Sequence, residues 1–210
     1  MKLSECWHIL LLLAAAAVMA FLAAPLVAAV PAALFIFTLY FFRDPERKAP
    51  VWENIIICPA DGRVLDIEDV VDPYVGAARR LSIFMSPFDV HVNRAPFDCK
   101  VGSIAHKPGK KVAAYLKGDL ASREHNRLEL EGKVRLAVEQ YAGVVARRIV
   151  CWAKVGDSLM SGERFGMIKF GSRVDVVAPL NVKFIVSKDS RVVAGETVIA
   201  RIEDGKDQQS

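Results

Sequence analysis

The sequence predicts a mainly β (α+β) protein in which an N-terminal hydrophobic membrane helix or helical hairpin precedes one antiparallel β-rich domain. Three observations support this fold class. No charged residue occurs from Ile9 to Phe42, the composition changes after Pro50, and short runs rich in Val and Ile then recur between Gly, Pro and Asp residues. We expect residues 1–48 to form a membrane anchor and residues 49–210 to form a single domain.

The uncharged stretch is much longer than the roughly 20 residues that one membrane-spanning helix needs. Pro25 and Pro31 interrupt it, and a proline in a helix interior removes a hydrogen bond and clashes with the preceding turn. We therefore prefer two short spans or a tight hairpin, roughly Ile9–Ala24 and Leu26–Phe42, over one long, tilted and kinked helix. A cleaved signal peptide is disfavoured, because the apolar region of such a peptide covers only about 7–15 residues.

Positive residues flank this stretch at both ends, with Lys2 before it and Arg43, Arg47 and Lys48 after it. Lysine and arginine near the ends of membrane spans favour the cytoplasmic side. A hairpin would therefore have both of its ends in the cytoplasm. We expect the protein to lie in the cell membrane with its β-rich domain on the cytoplasmic face.

The remainder of the chain contains eight short runs that are rich in β-branched residues and often alternate between apolar and polar residues. Helix is expected only in short pieces, for instance around Ala113–Lys117. The predicted strands are Asn54–Cys58, Arg63–Ile67, Arg80–Met85, Val134–Gln140, Arg148–Trp152, Arg173–Val177, Val182–Val186 and Thr197–Ile202.

The net charge of +4 is modest and acidic residues are plentiful, which argues against a nucleic-acid-binding arm. Beside a membrane, a small positive excess favours contact with anionic lipid headgroups, although a solvated surface of mixed charge explains it more simply. The cysteines form no C-x-x-C pair, which argues against a zinc site and a disulfide framework and fits a reducing compartment. They are Cys6, Cys58, Cys99 and Cys151.

Two separate segments contain side chains suited to acid–base chemistry. Asp61 precedes a glycine between apolar runs, a pattern that marks tight turns but that also suits a carboxylate orienting a histidine. His91 lies between apolar residues, and its ordinary pKa of about 6.5 suits proton transfer near neutrality. A lone histidine is nevertheless more often structural. Arg94 could hold a phosphate or a carboxylate, or simply face solvent.

The third segment contains the pair Gly171-Ser172, between two apolar runs. Most such pairs are ordinary turns. In a strained turn beside a base, however, the serine can attack the carbonyl group of the peptide bond that precedes it. Since serine is a poor nucleophile until a base takes its proton, Asp61, His91 and Ser172 make chemical sense as a trio. Their spacing does not establish that they meet.

Five segments, each weak alone, occur in a specific order over most of the chain. They are Phe41–Arg47, Pro59–Val64, Phe88–Pro96, Asn126-Arg127 and Arg164–Ser172. In this order they resemble the phosphatidylserine decarboxylase proenzymes of the short, membrane-anchored type.

The resemblance implies a self-processing, pyruvoyl-dependent carboxy-lyase of phospholipid biosynthesis. Ser172 would attack Gly171, and β-elimination would then leave a β chain (1–171) and an α chain (172–210) that begins with a pyruvoyl group made from Ser172. Asp61 and His91 match the partners of self-cleavage in the family. The covalent pyruvate cofactor would form a Schiff base with phosphatidylserine, and loss of CO₂ would give phosphatidylethanolamine, with His91 as the expected proton donor and no metal.

The implied partners are an anionic phospholipid in the membrane, the two chains of the same precursor and further αβ units, but no nucleic acid. Three positions depart from the family pattern. Arg94 replaces a second histidine found in the longer branch, while Phe170 and Arg173 stand where Leu and Thr are common. A serine phospholipid with archaeal-type tails would present the same headgroup chemistry.

Two other classes of protein remain as alternatives. One is a membrane-tethered β domain that only binds lipid or protein, in which Gly171-Ser172 is an uncleaved turn. The other is a carrier-type β domain with a modified lysine at Lys169 or Lys188, suggested by the similar segments 155–163 and 190–198. Neither lysine has the flanking residues that such a site requires.

Overall fold

The computed structural model of the chain describes residues 6–23, 26–109, 124–143, 149–169 and 172–203. The chain divides into two compact units, residues 1–46 and residues 47–210. The predicted helix around Ala113–Lys117 and the residue pair Phe170-Gly171 lie outside the described residues.

The first unit contains two helices, α1 (Trp7–Ala23) and α2 (Ala29–Phe41). Pro31 lies in the first turn of α2, where a backbone N–H has no partner within the helix, so the proline removes no helical hydrogen bond there. Among the described residues, no helix combines the length and the apolar character needed to cross a bilayer. The membrane anchor over residues 1–48 therefore stays a prediction.

The second unit is mainly β, as predicted, and every strand pair described in it is antiparallel. Its strands are β1 (Ile55–Ile57), β2 (Gly62–Asp72), β3 (Gly76–Met85), β4 (Val92–Arg94), β5 (Cys99–Lys107), β6 (His125–Glu131), β7 (Leu136–Ala142), β8 (Ile149–Cys151), β9 (Ser158–Leu159), β10 (Arg164–Ile168), β11 (Ser172–Pro179), β12 (Val182–Phe184), β13 (Arg191–Val192) and β14 (Val198–Ile202).

The strands form one large sheet and two small ones. The large sheet has the order β13-β2-β3-β11-β7-β6-β5-β9, and the small sheets have the orders β1-β14-β12 and β4-β10-β8. All eight predicted strands are present, although their ends differ by a few residues. The strands that sequence analysis missed include β5 and β6, which are long, and β4 and β10, which flank the candidate site.

The strand β11 lies inside the large sheet, between β3 and β7, and is buried on both of its faces. Side chains alternate between the two faces of a strand. Val174 and Val176 therefore pack in the main hydrophobic core, while Arg173 and Asp175 occupy the opposite face, where the Arg173 guanidinium donates to Asp175 at 2.6 and 2.8 Å. A buried charge that is paired in this way avoids most of the penalty of desolvation.

A second ion cluster on this sheet centres on Arg127 of β6. Its guanidinium donates to both oxygens of Asp72 at 2.8 and 2.9 Å and to Glu139 at 2.6 Å. Burial alone would raise the pKa of Asp72, but the hydrogen bonds from Arg127 and from the backbone N–H groups of Val75 and Tyr74 outweigh it and lower that pKa. The cluster ties the end of β2 to β6 and β7.

We expect Asp72→Asn to lower the free energy of unfolding by about 2 kcal/mol at neutral pH, because hydrogen bonds to charged groups contribute roughly 1.5–3 kcal/mol. A depressed folded-state pKa means that this stabilisation is present above the ordinary value of 3.8 and is lost as the pH falls through the lower value. Thermal unfolding of the full-length protein in detergent should show the difference from wild type shrinking with acidification.

The control is Asp69→Asn, which breaks an ion pair with Arg79 whose aspartate side chain is 77% exposed. Exposed pairs contribute little to stability, so this variant should unfold near the wild-type temperature throughout. An Asp72→Asn deficit that stays constant as the pH drops below 3.8 would contradict the assignment to the ionised carboxylate.

Candidate functional site

Ser172, the predicted nucleophile, is the first residue of β11 and is fully buried. Its backbone lies opposite Met85 of β3 on one side and Ala142 of β7 on the other. Its Oγ donates to the Sδ of Met85 at 3.3 Å. Gly171, on the other side of the predicted cleavage bond, lies outside the described residues.

His91 is also fully buried and lies directly before β4. Its Nδ1 is 2.9 Å from the backbone oxygen of Asp89, which assigns the proton of a neutral ring to Nδ1 and leaves the lone pair on Nε2. Its backbone oxygen accepts a hydrogen bond of 3.2 Å from the N–H of Ile168, the last residue of β10. Since β10 ends four positions before Ser172, the histidine segment lies beside the strand that leads to the predicted cleavage bond.

Asp61 lies in a bend before β2, and its carboxylate is buried. One oxygen accepts from the backbone N–H of Ala194 at 2.7 Å and the other from Arg47 at 3.1 Å. The Asp-Gly pair does not form a hairpin turn: Gly62 starts a strand, and a Cβ there would lie only 2.1 Å from the carbonyl oxygen of Phe84. The close approach of the two strands requires glycine.

Burial raises the pKa of Asp61, and the nearby carboxylate of Asp89 raises it further, while the hydrogen bond from Ala194, the charge of Arg47 and the hydrogen bond from Val90 oppose the rise. The backbone N–H of Val90 lowers the pKa of Asp61, which indicates that this carboxylate lies near the histidine segment. The described partner of the His91 Nδ1 atom is the Asp89 carbonyl. A direct role of Asp61 towards the imidazole stays a prediction.

Asp89 is a site residue that sequence analysis missed. Its buried carboxylate accepts from the backbone N–H of Ser86 at 2.7 Å and pairs with the guanidinium of Arg191. These contacts close the loop before His91 and fix the carbonyl group that orients the ring. The available signal was an acidic residue three positions after Ser86 in a short loop, which is the spacing of a side-chain-capped turn.

Three buried amide side chains form a hydrogen-bonded series beside Ser172. Asn126 donates to the Oε1 of Gln140 at 2.9 Å, and the Nε2 of Gln140 donates to the Oδ1 of Asn93 at 2.7 Å. Asn93 in turn directs its amino group at the carbonyl oxygen of Pro59, at 3.4 Å, and at the Sδ of Met85, at 3.9 Å. A polar residue at the inward position of a predicted strand, Gln140, was the signal for this series.

Arg94 was predicted to bind substrate. It is buried, one of its amino groups donates to the backbone oxygen of Gly162 at 3.0 Å, and its side chain packs so closely under Gly195 that a Cβ there would lie 2.9 Å from its Cδ. These contacts give the side chain a structural role within the domain. Contact between Arg94 and substrate stays a prediction.

A family model described as phosphatidylserine decarboxylase matches residues 34–200. The chain belongs to the phosphatidylserine decarboxylase family. It is 46% identical over 171 residues to the phosphatidylserine decarboxylase proenzyme of Chlorobium phaeobacteroides (strain BS1), with 80% of each chain covered. It is 50% identical over 171 residues to the proenzyme of the same name from Chlorobium chlorochromatii, with 79% of each covered, and 43% identical over 202 residues to that of Symbiobacterium thermophilum, with 94% covered.

These matches confirm the resemblance to this decarboxylase family that was inferred from the sequence motifs. The matched range contains Asp61, His91 and Ser172, and it also contains Arg47. Arg47 was quoted only as part of a motif, yet it connects Asp61 to Glu196, to which it donates at 3.2 Å. Because Arg47 follows the hydrophobic stretch, sequence analysis interpreted it as a charge that flanks a membrane span and did not predict its contact with Asp61.

Arg47→Gln should raise the pKa of Asp61 further. The positive charge of Arg47 favours the carboxylate over the carboxylic acid, and the variant lacks that charge. NMR titration of the full-length protein with ¹³C-labelled aspartate carboxyl groups measures this directly. Arg79→Gln, which removes an exposed partner of Asp69, is the control and should leave the Asp61 resonance unchanged. A downward shift, or none, in the folded Arg47 variant would show that Arg47 does not stabilise the Asp61 charge.

Proposed function

We propose that this chain is a proenzyme that cuts itself between Gly171 and Ser172 and then, as a cleaved protein, decarboxylates phosphatidylserine to phosphatidylethanolamine. The observation that carries the proposal is the position of Ser172. A serine hydroxyl is fully buried at the first residue of an inner strand, and the backbone of the buried His91 accepts a hydrogen bond from Ile168, four positions before that serine. The family match spans both residues.

Self-cleavage requires the Oγ of Ser172 to bond to the carbonyl carbon of Gly171 while the peptide C–N bond breaks and the hydroxyl proton moves to the nitrogen. The product is an ester with a free amine on Ser172. Removal of the α proton of Ser172 then breaks the C–O bond and frees the carboxylate of Gly171. The remaining dehydroalanine takes up water and loses ammonia, which gives the pyruvoyl group.

His91 is the group that we propose to move the protons in these steps. The Asp89 carbonyl fixes the proton on Nδ1, so Nε2 is the basic atom of the neutral ring. Burial is the largest cause of the raised pKa of Asp61. We propose that the negative charge of Asp61, which lies near the histidine segment, stabilises a positive charge on His91.

The residues present fit a pyruvoyl group at position 172, because the side chain that would become the group is already enclosed and in contact with Met85. Such a group supplies a carbonyl that condenses with the amine of the substrate and accepts the electron pair left when CO₂ departs. We propose His91 as the donor of the proton that replaces CO₂.

The substrate is a membrane lipid, and residues 1–48 would hold the domain at the cytoplasmic face of the cell membrane. The uncharged stretch from Ile9 to Phe42 and the basic residues that follow it support this proposal. Assembly into a multimer of αβ units, and use of a serine phospholipid with archaeal-type tails, stay predictions.

Ser172→Ala should abolish self-cleavage, because alanine has no nucleophile. Intact-mass spectra of the purified wild type should show chains 1–171 and 172–210, the second beginning with a pyruvoyl group that reacts with a hydrazide probe. His91→Gln should slow cleavage by roughly 100- to 10,000-fold, the contribution typical of a positioned general base. His106→Gln is the matched control, since the side chain of His106 is 49% exposed.

Other results of these experiments would indicate a different class of protein. An uncut, folded wild type that still binds phosphatidylserine vesicles would contradict the proposal and indicate a lipid-binding domain. An uncut chain with added mass on Lys169 or Lys188 would indicate a carrier domain. If cleaved wild type releases CO₂ from phosphatidylserine vesicles while the hydrazide-treated enzyme does not, the reaction depends on the carbonyl group.

A further inference from the structure

We propose that Met85 is a positioning residue for self-cleavage: its sulfur holds the hydroxyl of Ser172, and the buried amide series Asn93–Gln140–Asn126 holds Met85. This inference rests on the proposed self-cleavage at Gly171-Ser172. It assigns a function to a methionine that would otherwise be counted as part of the hydrophobic core.

The contact between Met85 and Ser172 is built into the sheet. The two residues are directly opposite each other in the β3–β11 ladder, and both are fully buried. The Oγ of Ser172 lies 3.3 Å from the Sδ of Met85, which is the acceptor described for this hydroxyl. A buried hydroxyl without an acceptor is unfavourable, so the sulfur fixes the direction of the O–H bond.

The amide series also contacts the sulfur of Met85. Because Asn126 donates to the Oε1 of Gln140, the Nε2 of Gln140 faces Asn93 and donates to its Oδ1. Asn93 must therefore present its amino group to Met85, 3.9 Å away, and to the Pro59 carbonyl. The orientation of each amide determines the next, and the series ends at the atom that holds the nucleophile.

A thioether suits this role for a chemical reason. Its sulfur accepts a hydrogen bond weakly and cannot take the proton. The hydroxyl of the precursor is thus held in place without being deprotonated, and only a weak bond must break when the base takes over. Attack forms the bond from Oγ to the Gly171 carbonyl carbon and breaks the peptide C–N bond, with the hydroxyl proton transferred to the nitrogen, so the sulfur changes neither charge nor oxidation state.

The first test is Met85→Leu, which keeps an apolar side chain of similar size but removes the acceptor. We expect self-cleavage of the full-length precursor to slow by on the order of 10- to 100-fold, since small errors in the position of a reacting group have effects of this size. Met167→Leu is the matched control, because Met167 is equally buried, in β10. Cleavage is timed by mass spectrometry, and circular dichroism verifies folding.

Hydroxylamine distinguishes poor positioning from a later defect, because it cleaves esters and leaves amides intact. If Met85 positions the hydroxyl for attack, the slowed variant remains an amide and hydroxylamine should release little extra fragment. A folded Met85→Leu protein that accumulates a hydroxylamine-sensitive ester, or that cleaves as fast as or faster than wild type, overturns the inference. A wild type that does not cleave overturns the proposed function itself.

Two further measurements remain decisive if the leucine variant folds poorly. Norleucine replaces sulfur with CH₂ at all five methionines, whereas selenomethionine keeps a chalcogen acceptor. The norleucine protein should therefore cleave slowly and the selenomethionine protein normally, and equal rates would overturn the inference. Gln140→Met should also slow cleavage. The double variant Gln140→Met/Met85→Leu should cleave no more slowly than Met85→Leu alone, because the effects of coupled residues are not additive. Independent, multiplied effects would show that the amides do not act through Met85.

Discussion

The pairing of β11 with β3 and β7 is the interaction on which the rest of the structure depends. This strand begins at Ser172, so the proposed cut lies at the end of a strand that is held on both sides. After the cut, residues 172–203 would still pair with the β chain through β11, through β13 on β2 and through β14 on β1. The backbone can therefore break at one peptide bond without release of the α chain, because three separate ladders retain it.

Burial also determines the electrostatic arrangement around the site. Two buried carboxylates lie near each other, and the charge of Asp89 adds to burial in raising the pKa of Asp61. Arg47 pairs with Asp61 and Arg191 pairs with Asp89, one arginine from either side of the proposed cut. Each carboxylate is buried and paired with a cation, and Asp89 also accepts from the backbone N–H of Ser86 in the loop before His91. The loop before His91 is consequently set by charge as well as by packing.

The sequence was sufficient to predict eight of the strands, because alternating Val and Ile residues reflect the two faces of a sheet, but it did not reveal β4, β5, β6 or β10. It also singled out Asp61, His91 and Ser172 as candidates, and their roles stay predictions. It did not contain their contacts, because the partner of His91 Nδ1 is a backbone carbonyl that any residue could supply. Met85 escaped notice for a related reason: a methionine in an apolar run is indistinguishable from core until its neighbour across the sheet is known.

Gln140 shows what a polar residue contributes at an inward position near this serine. A leucine there would satisfy the hydrophobic pattern of β7, yet it would leave the amide oxygen of Asn93 and the amide nitrogen of Asn126 buried without each other's bridge. An unsatisfied buried polar group destabilises a fold by about 1–3 kcal/mol. Loss of Gln140 alone therefore costs stability, because each neighbouring amide loses one of its partners. Their joint presence gives the side chains around Ser172 one arrangement, whereas an apolar core would allow several.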